Sequence, residues 1–128
     1  MGKERPRRRR RSLAGLTAAL RQASSRSEQA QAHYELGLFH DNNGREAQAI
    51  PHYCEALALD INPAVVPEAL AWLASSLYKT GRREEASLRA GQALRLTRDQ
   101  SLVGFLRRLL RRIGRAAGES QPGRGDRT

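Results

Sequence analysis

An all-helical fold of antiparallel helix-turn-helix repeats, closed by a further C-terminal helix, is what this 128-residue sequence predicts. Three observations carry the prediction. First, the stretch from His33 to Leu59 is followed by a related one from Leu70 to Leu96. Shifted by thirty-seven positions, Leu36 meets Leu73, Gly44 meets Gly81, Arg45 meets Arg82, Ala49 meets Ala86, and Ala56, Leu57 and Leu59 meet Ala93, Leu94 and Leu96. An internal period in this range marks units that cannot bury an apolar face alone and must stack. Second, each unit sets turn chemistry, Asn42-Asn43-Gly44 or Lys79-Thr80-Gly81, between two segments of helical periodicity. Third, aromatics are scarce while alanine, leucine and arginine are abundant, which favours helices packed through small residues over a sheet.

Residues 1–11 carry seven basic side chains and one acidic one, a self-repelling run expected to be a disordered arm. Ser12 can cap a short helix within residues 12–24, with Leu13, Leu16 and Leu20 on one face. Although a basic run precedes it, the apolar stretch is short, is broken by Gly15 and Thr17, and meets Arg21 at once, so a targeting peptide is not expected.

The repeat domain is expected over residues 25–114. Its first repeat (27–62) begins at Ser25, where Glu28 three residues on completes a capping box. The first helix then runs to Asp41. Gly37 within it costs about 1 kcal/mol relative to alanine, and is expected to admit the close approach of another backbone. The partner helix, Arg45 to Leu59, stacks Ala49 and Ala56 on one face and contains Pro51, which predicts a local bend.

In the second repeat (64–98), helices are expected from Pro67 to Thr80 and from Arg83 to Leu96. A capping helix (99–113) starts at Thr97 to Gln100 and ends at Gly114, with Leu102, Phe105, Leu106, Leu109 and Ile113 as its apolar stripe. Residues 115–128 read as a solvated tail.

These residues resemble the tetratricopeptide repeat family, whose helix pair carries Leu-Gly in helix A, then Ala, an aromatic and Ala in helix B, with proline near the end. Leu36, Gly37, Ala49, Tyr53, Ala56 and Pro63 match that pattern in the first unit. The second unit departs from it, with Leu73-Ala74 for Leu-Gly, Ala90 for the aromatic and no closing proline. Its period also exceeds the usual length of about thirty-four residues, implying an insertion in the connector Asp60 to Pro67.

Composition limits the chemistry. The single cysteine excludes an intramolecular disulfide framework, and a reducing, cytoplasmic setting is the default expectation. His52 and Cys54 are two apart on a helix and point to different faces, so no nucleophile and base converge there; Cys54 reads as a small buried hydrophobe. His33 and His40 lie two turns apart, too far to share one ion. There is no HExxH, phosphate-cradling glycine loop or zinc-ligand spacing. A noncatalytic protein without cofactor or metal, and without a transmembrane segment, is expected.

The resemblance implies a groove lined by the A helices that receives a peptide or helix of a partner protein. The corresponding positions are Gln31, Tyr34, Leu38, Asp41 and Asn42 in the first unit and Glu68, Ala71, Ser75, Tyr78 and Lys79 in the second. Tyr34 and Leu38 stand where the family's carboxylate clamp has lysine and asparagine, so a mixed or apolar peptide is expected rather than a C-terminal carboxylate. These tyrosines have a bland alternative, packing on neighbouring helices.

The net charge of +10 resides in the two ends, since nine basic and nine acidic residues cancel between 12 and 98. A rival reading therefore gives Arg7, Arg8, Arg9, Arg10 and Arg11, with Arg107, Arg108, Arg111 and Arg112, to nucleic acid or an anionic membrane surface. Two units fall short of the three or so that repeat folds need. If either terminal helix fails to cover an open face, a homodimer becomes the second outcome.

Overall fold

The computed structural model describes residues 12–120, with side chains as far as Arg115. The basic arm 1–11, including Arg7 to Arg11, and the tail beyond 120 lie outside the described residues. Six helices follow in order, with no strand among the described residues: α1 (Leu13–Gln22), α2 (Arg26–Asn42), α3 (Glu46–Ala58), α4 (Val66–Lys79), α5 (Arg83–Leu96) and α6 (Gln100–Ser120). A 3-10 turn, Pro63–Val65, sits in the connector before α4, where Asn62 Oδ1 accepts from Ala64 N. Each helix packs on the next, and α4 also touches α6.

Both hairpins close by the same motif. Gly44 and Gly81 adopt φ of 72° and 87°, a conformation that side-chain-bearing residues avoid. In the first, Gly44 N donates to Asp41 O and Arg45 N to His40 O; in the second, Gly81 N donates to Tyr78 O and Arg82 N to Leu77 O. These paired bonds satisfy the carbonyls that a helix end leaves open. The thirty-seven-residue period is thus reproduced bond for bond at the turns.

The interior is built from small residues around a few large ones. Ala30, Ala49, Ala56, Ala69, Ala74, Ala86, Ala90 and Ala93 are wholly buried, together with Tyr53, Leu73 and Leu106. Small side chains on facing helices let the helices cross closely, and the large ones fill what remains. α6 contributes Leu102, Leu106, Leu109 and Ile113, so four of the five residues of the stripe expected at that end are buried within the chain; of the stripe expected on α1 only Leu16 is buried, Leu20 being half-buried and Leu13 exposed. Phe105 is half-buried and meets Trp72 edge-on, with ring centroids 5.3 Å apart.

Several local expectations need correction. Gly37 admits not a backbone but the ring of Tyr53: a Cβ there would stand 2.6 Å from Tyr53 Cε1. The capping box at α2 is displaced by one residue. Ser25 Oγ accepts from Glu28 N, but Glu28 Oε1 reaches back to Ser24 N and Ser24 Oγ, an arrangement that holds the Glu28 carboxyl below its usual range. At α6 the cap is Asp99, whose Oδ1 accepts from Ser101 N and Leu102 N, while Thr97 Oγ1 accepts from Asp99 N. α3 spans Pro51, in keeping with the single helix expected over this stretch.

Nor does α6 stop at Gly114. It runs to Ser120, because Gly114 lacks the positive φ of a terminating glycine and good helix formers follow it. Finally, Cys54 is exposed. With Ala49, Tyr53 and Ala56 defining the inner face of α3, the next residue after Tyr53 is turned away from it.

Candidate partner-binding surface

Side-chain contacts link α2 to α4 and α4 to α6, and the two contacts between α4 and α6 advance in the same chain direction. Tyr34 Oη donates to Glu68 Oε1 at 3.4 Å between α2 and α4, while Trp72 meets Phe105 and Arg112 lies over the Tyr78 ring, 5.7 Å from its centroid, between α4 and α6. Each pair is separated by thirty-three or thirty-four residues, so the helices advance in register. The partners α3 and α5 pack behind this row against α2 and α4.

Within the row, the ten positions expected to line a groove have different fates. Tyr34 and Ala71 are buried, at 7% and 0% exposure, and present no surface to a partner. Burial, with the Glu68 carboxylate beside it, pushes the Tyr34 hydroxyl up to about 12. Tyr34 thus performs the packing role that was the alternative to contact, its ring 6.1 Å from that of Tyr53. Asp41 is half-buried and accepts from Tyr53 Oη at 2.9 Å.

The other seven stay at least partly open. Leu38, Ser75 and Tyr78 are half-buried; Gln31, Asn42, Glu68 and Lys79 are exposed. Gln31 Nε2 donates to Glu35, and Lys79 Nζ stands 3.8 Å from Glu46 Oε2 of α3. Chemically this is a strip of modest apolar area with a polar rim, and it carries both signs of charge. It can receive an extended or helical segment, the arrangement in which apolar anchors supply area and polar edges supply register.

Beyond Tyr78 the row becomes basic. Arg107, Arg108, Arg111 and Arg112 are all exposed on α6, opposite its buried stripe. Arg112 is the one that the fold brings to the α4 side, through its contact with Tyr78. No helix among the described residues is long and apolar enough to cross a membrane.

One cluster escaped the sequence reading. His33 on α2 and His52 on α3 place their Nδ1 atoms 3.0 Å apart, and His40 stacks on His52 with centroids 5.6 Å apart and planes 11° from parallel. Burial lowers the pKa of all three; at His52 the neighbouring His33 and His40 lower it further, and at His40 Arg45 does. Glu55 works against the shift at His33 and His52. The signal available was their placement about the Asn42 to Gly44 turn, since an antiparallel hairpin brings together residues on opposite sides of its turn.

Comparison with known proteins agrees with this architecture. A family model described as tetratrico peptide repeat matches residues 30–118, from the first turns of α2 into the last turns of α6. No curated protein and no solved structure matches the chain. The family's repeats are in general noncatalytic protein–protein interaction modules. By its matched sequence, its paired helices and its twice-repeated turn, this chain belongs to the tetratricopeptide repeat family.

Proposed function

We propose that the protein is an adaptor that holds a peptide or helix of a partner protein along the row formed by α2, α4 and α6, with Leu38, Ser75 and Tyr78 as the contact floor and Gln31, Asn42, Glu68 and Lys79 as its polar edge. The observation supporting this reading is that the row is continuous across both repeats and α6 while leaving these side chains at least partly open. Tyr78 is the expected anchor, because a half-exposed tyrosine offers large area at low entropic cost. Tyr34, Asp41 and Ala71 act behind the floor.

The test is selection of binders from a displayed peptide library on the full chain, followed by chemical-shift mapping of a selected peptide. Shifts should centre on Leu38, Ser75, Tyr78 and Lys79, and Tyr78→Ala should weaken binding by about 2 kcal/mol, as loss of an interface anchor does. Shifts confined to α3 and α5 would refute the placement. A second copy of the chain is one candidate partner, which light scattering reads directly.

The exposed arginines of α6 support a second reading, polyanion binding through Arg107, Arg108, Arg111 and Arg112 together with Arg7 to Arg11. Its signature is different. Affinity for a short RNA or DNA would fall steeply with salt, and removal of residues 1–11 would reduce the salt slope, whereas peptide binding in the row would survive both changes.

A further inference from the structure

A cleft of about 350 Å3 opens between α3 and α5, the two helices behind the row, and the start of α4. Leu57, Val66, Leu70 and Leu96 form its apolar floor, Arg89, Gln92 and Arg95 of α5 stand along it, and no acidic side chain lines it. We propose that this cleft is a second docking surface, which takes a short segment of a partner protein presenting a leucine- or isoleucine-type side chain flanked by carboxylates. It does not depend on the row, and with the row it would make the adaptor bivalent.

The cleft follows from the pattern of α5. Ala86, Ala90 and Ala93 commit one face of that helix to the interior, all three wholly buried. Arg89, Gln92 and Leu96 run along the flank of this face in steps of three and four, while Leu88 and Arg95, seven apart, share the outer face. The two repeats differ at this point. Leu96 corresponds to Leu59 at the thirty-seven-residue period, yet Leu59 is half-buried against the core whereas Leu96 is 54% exposed. A single exposed leucine is ordinary, but Leu96 closes a floor that Leu57, Val66 and the buried Leu70 continue inward.

Charge decides the occupant. Arg89 Nη1 donates to Gln92 Oε1 at 3.1 Å, which holds that guanidinium along the cleft. Glu85, one turn back, feels the charge of Arg89, but both of its carboxylate oxygens are already taken by Arg82, at 2.7 Å and 3.2 Å. Arg95 is exposed and lies back beside Gly91, where a Cβ would stand 3.8 Å from its Nη1, and no hydrogen bond or ion pair engages it among the described residues. A planar guanidinium grips a carboxylate through two parallel N–H bonds. Two arginines beside an apolar floor therefore complement an apolar side chain with acidic neighbours. The same charge turns away the chain's own basic arm, which carries seven basic side chains against one acidic in residues 1–11.

The experiment selects binders from a displayed random peptide library on the full chain and maps them by chemical shift. One class of peptide should carry leucine or isoleucine beside aspartate or glutamate and should shift the amides of Leu57, Arg89, Gln92 and Leu96. For such a peptide, Leu96→Ser should weaken binding at least about tenfold, through the loss of one buried apolar contact. Arg89→Gln and Arg95→Gln should each weaken it by up to about fivefold. Replacing the acidic residues of the peptide by glutamine should weaken binding and flatten its salt dependence, a readout taken on the unaltered protein. Binding indifferent to both arginine variants and to the charge of the peptide overturns the proposal. So does self-association that Leu96→Ser abolishes, which would make a second copy the occupant. Shifts along the row with none in the cleft would overturn it too, while leaving the row as the partner-binding surface.

Discussion

Gly37 on α2 and Tyr53 on α3 are a matched pair: a Cβ on Gly37 would stand 2.6 Å and 2.7 Å from Cε1 and Cδ1 of a ring that is itself wholly buried. Thirty-seven residues on, the corresponding positions are Ala74 and Ala90, both wholly buried. One hairpin solves the crossing with nothing against a ring, the other with two methyl groups. The Tyr53 ring has little freedom to retreat, since its hydroxyl is fixed on Asp41.

Gly37→Ala should therefore destabilise the protein by up to about 2 kcal/mol, overpacking of about 1–3 kcal/mol being partly offset by alanine's helix preference of about 1 kcal/mol. Tyr53→Ala alone should cost about 3–5 kcal/mol, as deletions of large buried rings do. Combined, the two reproduce the Ala-Ala pair of the second hairpin, and adding Gly37→Ala to Tyr53→Ala should be neutral or stabilising. Urea unfolding of the four proteins measures the coupling; additive effects would mean that the ring does not set the requirement for glycine.

The two turn glycines make a complementary case, in which conformation acts without crowding. No atom lies within 4 Å of a Cβ built on Gly44 or Gly81, yet both have positive φ. Alanine at either position should cost about 1 kcal/mol for the left-handed conformation, with asparagine recovering part of it because its side chain tolerates that region. The double variant should show the sum, because the sites belong to different hairpins and share no partner. A thermal melt in which either alanine variant equals the parent would contradict the backbone argument.

How far these features were legible follows from how each is encoded. The Gly44 and Gly81 turns and the Ala49–Ala86 and Ala56–Ala93 matches are local and periodic, so they could be read directly. The site was less legible. Tyr34 and Ala71 occupy groove positions by count alone, but a helix flanked on both sides retains only a narrow open strip, and that width depends on packing. The histidine cluster depends on the register of α2 against α3, which the Gly37 and Tyr53 contact helps to set. Cys54 was misplaced by a rule of composition, although the helical face marked by Ala49, Tyr53 and Ala56 already turns it outward.

Acid should loosen the first hairpin. His33, His40 and His52 each have a folded-state pKa below the ordinary histidine value of about 6.5, so the unfolded chain binds more protons than the folded one as pH falls through that value. Stability is thus full above about pH 7 and declines through pH 6.5 and below until the folded-state values are passed. Arg45 adds to the effect at His40, and Glu55 opposes it at the other two. Melting temperature should drop between pH 7 and pH 5, and His52→Gln should flatten the dependence by removing the residue that faces both others. An unchanged slope in that variant would locate the acid sensitivity elsewhere.

Pro51 offers a gain in stability. It stands inside α3, exposed, where a proline supplies no N–H to the Ala47 carbonyl and crowds it. The penalty in a helix interior is about 3 kcal/mol relative to alanine, while proline returns up to about 1 kcal/mol by stiffening the unfolded chain. Pro51→Ala should therefore stabilise the protein by about 2–3 kcal/mol, with no packing lost because the ring faces solvent. The adjacent His52 makes the same variant informative about the pair. If α3 straightens enough to draw His52 from His33, the acid dependence should shrink as stability rises; if the helix is already straight, the two measurements should separate, with stability rising and the pH profile unmoved.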